Sequence, residues 1–297
     1  MRLISRGDMD GLASAVLLTL VEDIKDAGFA HPKDMQDGKI PVTKDDIVVN
    51  LPYVNGCGLW FDHHVSEHAK LDGIGTFKGK FEVAPSCARV IYNHYKSPKF
   101  EPFMTMLTET DRLDSAQLTP DDVTDPKGWI LLGYTLDPRS GFGPEFRKYF
   151  RWLTEFVKEL PIEKVLQHPE VKKRCERFFK DQEEFTALLN KHCRMEGNVV
   201  LTDFRSVNMK DAPVGSRFLV FTLFPEANVE VRLFKGLGTT TVAAVGHSIF
   251  NRTCKINVGE YLATFGGGGH RGAGTCQLPP EKAEEGLKKI IAHFRKN

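Results

Sequence analysis

With 297 residues, 41% of them hydrophobic, the chain can bury a sizeable core, and its length suits two domains better than one. The 40 basic and 39 acidic residues leave a net charge of +1, which excludes a global basic field for gripping long nucleic acid, so any phosphate binding has to be local. Six scattered cysteines without a CxxC pair argue against a zinc ribbon or a disulfide framework and for a reducing cytoplasm.

Residues Arg2 to Arg6 carry no signal-peptide pattern, and no apolar stretch is long enough to span a bilayer, so a protein without a membrane association is expected. Leu3 to Ser5 reads as a strand, and Leu12 to Lys25 as a helix with Leu12, Val16, Leu17, Leu20, Val21 and Ile24 at helical spacing. Ile47 to Val49 and Leu59 to Phe61 are short apolar runs of the kind found in covered parallel sheets. This half is expected to be an α/β domain, in which ligands sit beyond the carboxyl ends of the strands. Asp8, Asp10, Asn50, Asp62 and His63 all fall just after an expected strand, so three distant segments can converge on one edge.

From Ser86 to Leu160 the pattern is mostly helical, and the stripe Phe146, Phe150, Leu153, Phe156 and Val157 reads as a core face rather than a nucleotide platform. Pro169 to Cys193 reads as a connecting helix with Val171, Cys175, Phe178, Gln182, Phe185 and Leu189 on one side; its Lys172-Lys173-Arg174 run is read as a solvated face. Strands are expected at Val199 to Thr202, Phe218 to Leu223, Val229 to Phe234 and Thr240 to Ala244. A helix from Val258 to Phe265, capped by Asn257, and another from Glu281 to Arg295 complete a second α/β domain. The expected organisation is residues 1–165, a linker helix 166–195, and a smaller α/β domain 196–297.

Three clusters bear chemistry. Asp8-Met9-Asp10-Gly11, read as extended, puts two carboxylates on one side of the chain, which suits magnesium or manganese; Asp and Gly are also ordinary turn residues. Asp62-His63-His64 at a strand end offers one imidazole to a metal and another to a substrate or a supporting contact. Phe265 to Gly274 holds four consecutive glycines, Gly266 to Gly269, followed by His270; such a run is either a flexible loop or backbone that must approach something closely.

The order DxDG, DHH, a later Asp in a helical segment, a linker and GGGGHxGAG resembles the DHH phosphoesterase superfamily, in the form that carries a DHH-associated C-terminal domain, over nearly the whole chain. Within it the nearest likeness is to the exopolyphosphatase-like and short-oligonucleotide phosphodiesterase-like group, including enzymes that split cyclic dinucleotides or their linear products. The resemblance implies a parallel-sheet DHH-type domain with a two-manganese site, and a substrate held between the domains by the glycine motif. It implies metal ligands at Asp8, Asp10, Asn50, His63 and Asp111, with Asp114 a nearby competitor for the last. Asp62 and His64 complete the motif, His64 facing the phosphate or leaving group. In the second domain it implies an amide nest at Gly266, Gly267, Gly268 and Gly269 with His270, and a substrate wall from His247, Asn251 and Arg252 with Arg232 on a preceding strand.

Two positions depart from the family pattern. The first motif of the family carries a His two or four residues before its first Asp, where this chain has Arg6 and Ile4; Asn50 stands where the family has an Asp that bridges both metals. Arg stays protonated and an amide oxygen is a weaker, uncharged ligand, so the site loses an imidazole and a negative charge. Arg6 can offer a permanent positive charge to a phosphate oxygen in place of a lost cation. The expectation is therefore a metal-dependent phosphohydrolase holding one or two Mn2+ or Mg2+ ions and acting on a small phosphodiester or phosphoanhydride. Short single-stranded oligonucleotide, cyclic dinucleotide and polyphosphate all fit, and a homodimer is left open. The alternatives are a catalytically degenerate nucleotide- or oligonucleotide-binding protein and a scaffold in which both motifs are relics.

Overall fold

The computed structural model describes residues 1–68, 71–136, 143–209, 211–236 and 238–295. They gather into two compact units, Met1–Leu118 with Pro126–Glu176, and Thr119–Asp125 with Arg177–Asn297. The division falls within one continuous helix, Pro169–His192, whose stripe Val171, Cys175, Phe178, Gln182, Phe185 and Leu189 is buried throughout. Among the described residues no helix is long and apolar enough to cross a membrane.

The first unit is built on a wholly parallel five-stranded sheet ordered β2-β1-β3-β4-β5, from β1 (Arg2–Ser5), β2 (Asp26–Phe29), β3 (Asp46–Val49), β4 (Leu59–Asp62) and β5 (Gly79–Phe81). Ile47, Val48, Val49, Trp60 and Phe61 are fully buried, as strands covered on both faces require. Each aromatic so buried contributes roughly 2–3 kcal/mol relative to exposure. The chain leaves β1 for β2 on one side and returns to β3 on the other, so the switch in strand order lies between β1 and β3. Ligand crevices of open α/β sheets form at such points, beyond the carboxyl ends of the strands.

The helix after β1 spans Met9–Thr19 and stops short of the expected Lys25; strand β2, with its exposed Asp26 and its glycine, gives too weak an apolar signal to be read. The helix Pro144–Phe156 buries Phe146, Phe150 and Leu153, and Phe150 meets Phe29 of β2 edge-on at 4.5 Å. That stripe is a core face.

The second unit holds a six-stranded sheet ordered β10-β11-β9-β8-β7-β6: β6 (Cys193–Glu196), β7 (Val199–Asp203), β8 (Val229–Lys235), β9 (Thr241–His247), β10 (Gly268–His270) and β11 (Ala273–Leu278). All neighbours are antiparallel except β7 and β8. Alternation along β8 sends Val229, Val231 and Leu233 into a core shared with the helices Val258–Ala263 and Ala283–Phe294, and Glu230 and Arg232 to the other face. The strand expected at Phe218 to Leu223 is instead a short helix, Leu219–Leu223, with Leu219, Val220 and Phe221 all buried. A continuous apolar run has no period by which strand and helix can be told apart.

Candidate metal centre

The ends of β1, β3 and β4 lie level, because Ser5 pairs with Val49 and Val49 with Phe61. The residues that follow these three strands therefore meet. Between Ser5 and the helix Met9–Thr19 the chain turns so tightly that a Cβ on Gly11 would lie 1.9 Å from the Arg6 carbonyl oxygen. Only glycine fits there, and it fixes both Arg6 and Asp8 in place.

The extended reading of Asp8 to Asp10 is corrected. Asp8 is the N-cap of the helix, with its Oδ1 accepting from the Gly11 amide at 2.9 Å, and Asp10 already lies in the first helical turn. The two carboxylates consequently diverge. Asp8 receives Asn50 Nδ2 on Oδ1 at 3.1 Å and Arg6 Nε on Oδ2 at 3.0 Å. Asp10, buried to 1% exposure, accepts from the amides of Cys87 and Ala88 at 2.9 and 2.8 Å, the first residues of the helix Cys87–Tyr95. Its charge is thus set against a helix N-terminus.

His63, next after β4, gives its Nδ1 proton to the Ala84 carbonyl at 3.0 Å, since a carbonyl can only accept. Its buried Nε2 then faces carboxylates, Asp114 Oδ2 at 3.3 Å and Asp10 Oδ2 at 3.6 Å, and makes no hydrogen bond. With that nitrogen unprotonated its lone pair would be set against two carboxylates, an arrangement that a cation among them relieves. One ligand atom from each of Asp10, His63 and Asp114 falls within 4.8 Å of the others, a spacing that a divalent ion can bridge. The residues present fit the metal.

Burial first, and then the neighbouring Asp114, pushes the Asp10 carboxyl up to about 7 against the pull of His63. Burial likewise raises Asp114. Asp62, fully buried at the end of β4, holds His64 Nδ1 at 2.8 Å; its Oδ2 makes no hydrogen bond, and neither does Asn50 Oδ1. Burial pulls the His64 imidazole down, but the bond to Asp62 together with the charges of Asp62, Asp114 and Asp10 leaves the group raised. Asn50 itself is buried in left-handed backbone with φ 55°.

Asp111 does not join the cluster. Its carboxylate accepts from Ser86 Oγ at 2.6 Å and from Arg89 Nε and Nη2 at 2.8 and 2.6 Å. One helical turn on, it is Asp114 that faces His63. Arg89, Ser86 and the Ala84 carbonyl are parts that sequence reasoning did not find; they lie 20 to 30 residues from their partners, and only the fold joins them.

In the second unit the glycine segment is a packed hairpin rather than a free nest. Gly266 and Gly267 amides donate to the Ala263 and Leu262 carbonyls at 3.0 Å, so these two are not available to an anion. Gly268, Gly269 and His270 pair with Thr275, Gly274 and Ala273. A Cβ on Gly269, which has φ 151°, would lie 2.2 Å from the Ala273 carbonyl oxygen, and one on Gly259 would lie 2.5 Å from the Gly269 carbonyl oxygen. His270 is exposed and accepts from the Gly272 amide; the His247 amide donates to the Gly272 carbonyl at 2.8 Å, while its Nε2 is buried and unbonded. Burial lowers His247, and the nearby Arg271 and His270 add to this. These groups meet at one end of β9.

Arg232 lies further along the sheet. Its Nε donates to Glu230 at 2.7 Å, its Nη2 is buried without a hydrogen bond, and its guanidinium is 5.8 Å from the rings of both Phe185 and Phe204. Asn251 and Arg252 sit in a turn pinned by Ser248, with Asn251 Nδ2 on the Glu226 carbonyl and Arg252 Nε on the Ile249 carbonyl.

Neither a scan of family models nor a search of curated proteins gives a match. Among solved structures, the chain is similar to a pGpG-specific phosphodiesterase, PggH, of Vibrio cholerae, with 37% identity, 99% of each chain covered and a TM-score of 0.84. RecJ of Thermus thermophilus in complex with Mn2+ superposes with a TM-score of 0.51 at 14% identity, over 100% of this chain and 52% of that one.

Proposed function

Because the chain belongs to the DHH phosphoesterase superfamily, we propose that it is a metal-dependent phosphodiesterase that hydrolyses a short linear dinucleotide of the pGpG class. The observation that carries this is the unbonded Nε2 of His63, held toward Asp10 and Asp114 by the bond of Nδ1 to Ala84. The likeness to a pGpG-specific enzyme narrows the substrate from phosphate esters at large to a dinucleotide.

Asp10, His63 and Asp114 hold the ion, Mn2+ or Mg2+, which when bound supplies Lewis acidity at the scissile phosphate. Arg6, half-exposed beside Asp8, turns the rest of its guanidinium to a phosphate oxygen and offsets the charge that builds there. Asp62 orients His64 and favours its protonated form, so the imidazolium can give a proton to the departing ribose oxygen. Water attacks the phosphorus, the P–O bond to that oxygen breaks as the imidazolium protonates it, the proton released from the water returns to His64 through solvent, and two mononucleotides leave.

In the second unit, Arg232, His247 and His270 with the hairpin are the groups that recognise the substrate. The buried, unbonded Arg232 Nη2 and His247 Nε2 support this. Six free cysteines fit a reducing compartment, the cytoplasm.

The test is a substrate panel of pGpG, longer oligonucleotides, a cyclic dinucleotide and polyphosphate, with Mn2+. Preferential cleavage of pGpG supports the proposal. Binding of pGpG without cleavage of any of the four would favour a degenerate binding protein, for which the Arg6 and Asn50 contacts to Asp8 are the specific argument.

A further inference from the structure

We infer that the centre takes a single divalent ion, at Asp10, His63 and Asp114, and that the Arg6 guanidinium, fixed on Asp8, is its second positive charge. This rests on the metal-dependent reading above and deepens it.

Both oxygens of Asp8 are engaged, Oδ1 by the Gly11 amide and Asn50 Nδ2 and Oδ2 by Arg6 Nε. Three of the roughly four lone-pair sites of this carboxylate are thus taken, one of them by a permanent cation, and an ion arriving at Asp8 would meet the charge of the guanidinium. Asn50 gives Asp8 its amide N–H, and its own oxygen makes no hydrogen bond. Asp111 carries Arg89, and Asp62 carries His64. Among the described residues of the cluster, Asp10 and Asp114 are the pair without a cation of their own, and the His63 Nε2 that faces them makes no hydrogen bond and belongs to a side chain 8% exposed. Two carboxylates and one imidazole match one divalent charge.

Two side-chain oxygens at the strand ends are unbonded, Asn50 Oδ1 after β3 and Asp62 Oδ2 at the end of β4. Ions of the magnesium type need about six oxygen ligands, several of them charged or water. Those two oxygens bring one carboxylate, already bound to His64, against the two at Asp10 and Asp114, whereas Arg6 needs no ligands and follows the tight turn that requires Gly11. A two-ion centre clamps a phosphate between two positive charges. Here one of the two is built into the chain, so metal dependence should follow a single-site curve.

The experiment is Mn2+ titration of the purified full chain by calorimetry, with electron paramagnetic resonance of the loaded protein. One ion per chain and the spectrum of an isolated Mn2+ are expected. Asp8→Asn, which keeps the N-cap, should retain that ion with affinity changed by about tenfold at most, whereas Asp10→Asn should weaken it more than about 100-fold. Arg6→His combined with Asn50→Asp should gain a second ion and the spectrum of a coupled pair. Two ions in the unaltered chain, or loss of the ion in Asp8→Asn, overturns the inference. No ion at all overturns the metal reading together with it. One ion without cleavage of any phosphodiester supports the inference and overturns the proposed activity alone.

Discussion

His63 Nε2 lies 3.3 Å from Asp114 Oδ2, while Asp111, one helical turn earlier, is bound to Arg89 at 2.6 Å. The helix Met104–Asp114 thus presents one carboxylate to the centre and uses the other to tie itself to the helix Cys87–Tyr95. The expected consequence is a split between two neighbouring variants. Asp114→Asn should lower Mn2+ affinity by more than about 100-fold, and Asp111→Asn by about tenfold or less. Calorimetric titration of both variants checks this.

Within the glycine run, Gly267 and Gly269 are packing requirements. Alanine at Gly259 or Gly269 would drive a Cβ to 2.5 or 2.2 Å from backbone oxygen, and Gly269 also has positive φ. Each should cost about 2–3 kcal/mol in urea unfolding. At Gly268 no atom lies within 4 Å of the added Cβ, and alanine there should change stability by no more than about 1 kcal/mol.

Arg232 and Glu230 form a pair with side chains 12% and 10% exposed, and Thr202 Oγ1 also donates to Glu230. Removing the cation alone strands a buried carboxylate. Arg232→Ala should therefore destabilise the chain by roughly 3 kcal/mol, and adding Glu230→Gln should recover most of it. Both variants should raise the KM for pGpG about tenfold or more, since neither restores the guanidinium. Urea unfolding and steady-state kinetics separate the two effects.

Far from the centre, Asp46 is held by Arg2 at 2.7 and 2.8 Å and by the Thr43 amide at 2.7 Å. Burial pushes its carboxyl up, but Arg2 and Thr43 prevail and hold it below the usual range. A folded-state value below the unfolded one means that this stability is present above the unfolded value of about 3.9 and is lost as pH falls through the folded one. Asp46→Asn should cost roughly 2 kcal/mol at pH 7 and flatten the stability profile below about pH 4. Unfolding midpoints measured across that range test the sign.

The sequence made the strand-end convergence readable, because short apolar runs such as Ile47 to Val49 and Leu59 to Phe61 end directly on Asn50 and on Asp62-His63-His64. The motifs fall at the strand ends of the first unit and on the hairpin of β10 and β11 in the second. What stayed hidden were contacts made by the fold alone: Asp10 against the amides of Cys87 and Ala88, the Ala84 carbonyl that sets the His63 tautomer, and the choice of Asp114 over Asp111. Two aspartates three residues apart on a helix are equivalent in sequence, and only the position of Arg89 separates them. The glycines were legible as backbone needing room but not as a hairpin, since a strand made almost wholly of glycine has no side-chain alternation to read.

The most direct test of the central claim is hydrolysis of pGpG by the purified chain, followed by separation of the nucleotides, with Mn2+ and with a chelator. Accumulation of GMP with Mn2+ and none with the chelator, together with loss of the activity in His63→Ala, is the result expected. GMP release that persists in the chelator or in His63→Ala, or intact pGpG in the presence of a protein that has bound its metal, would contradict it.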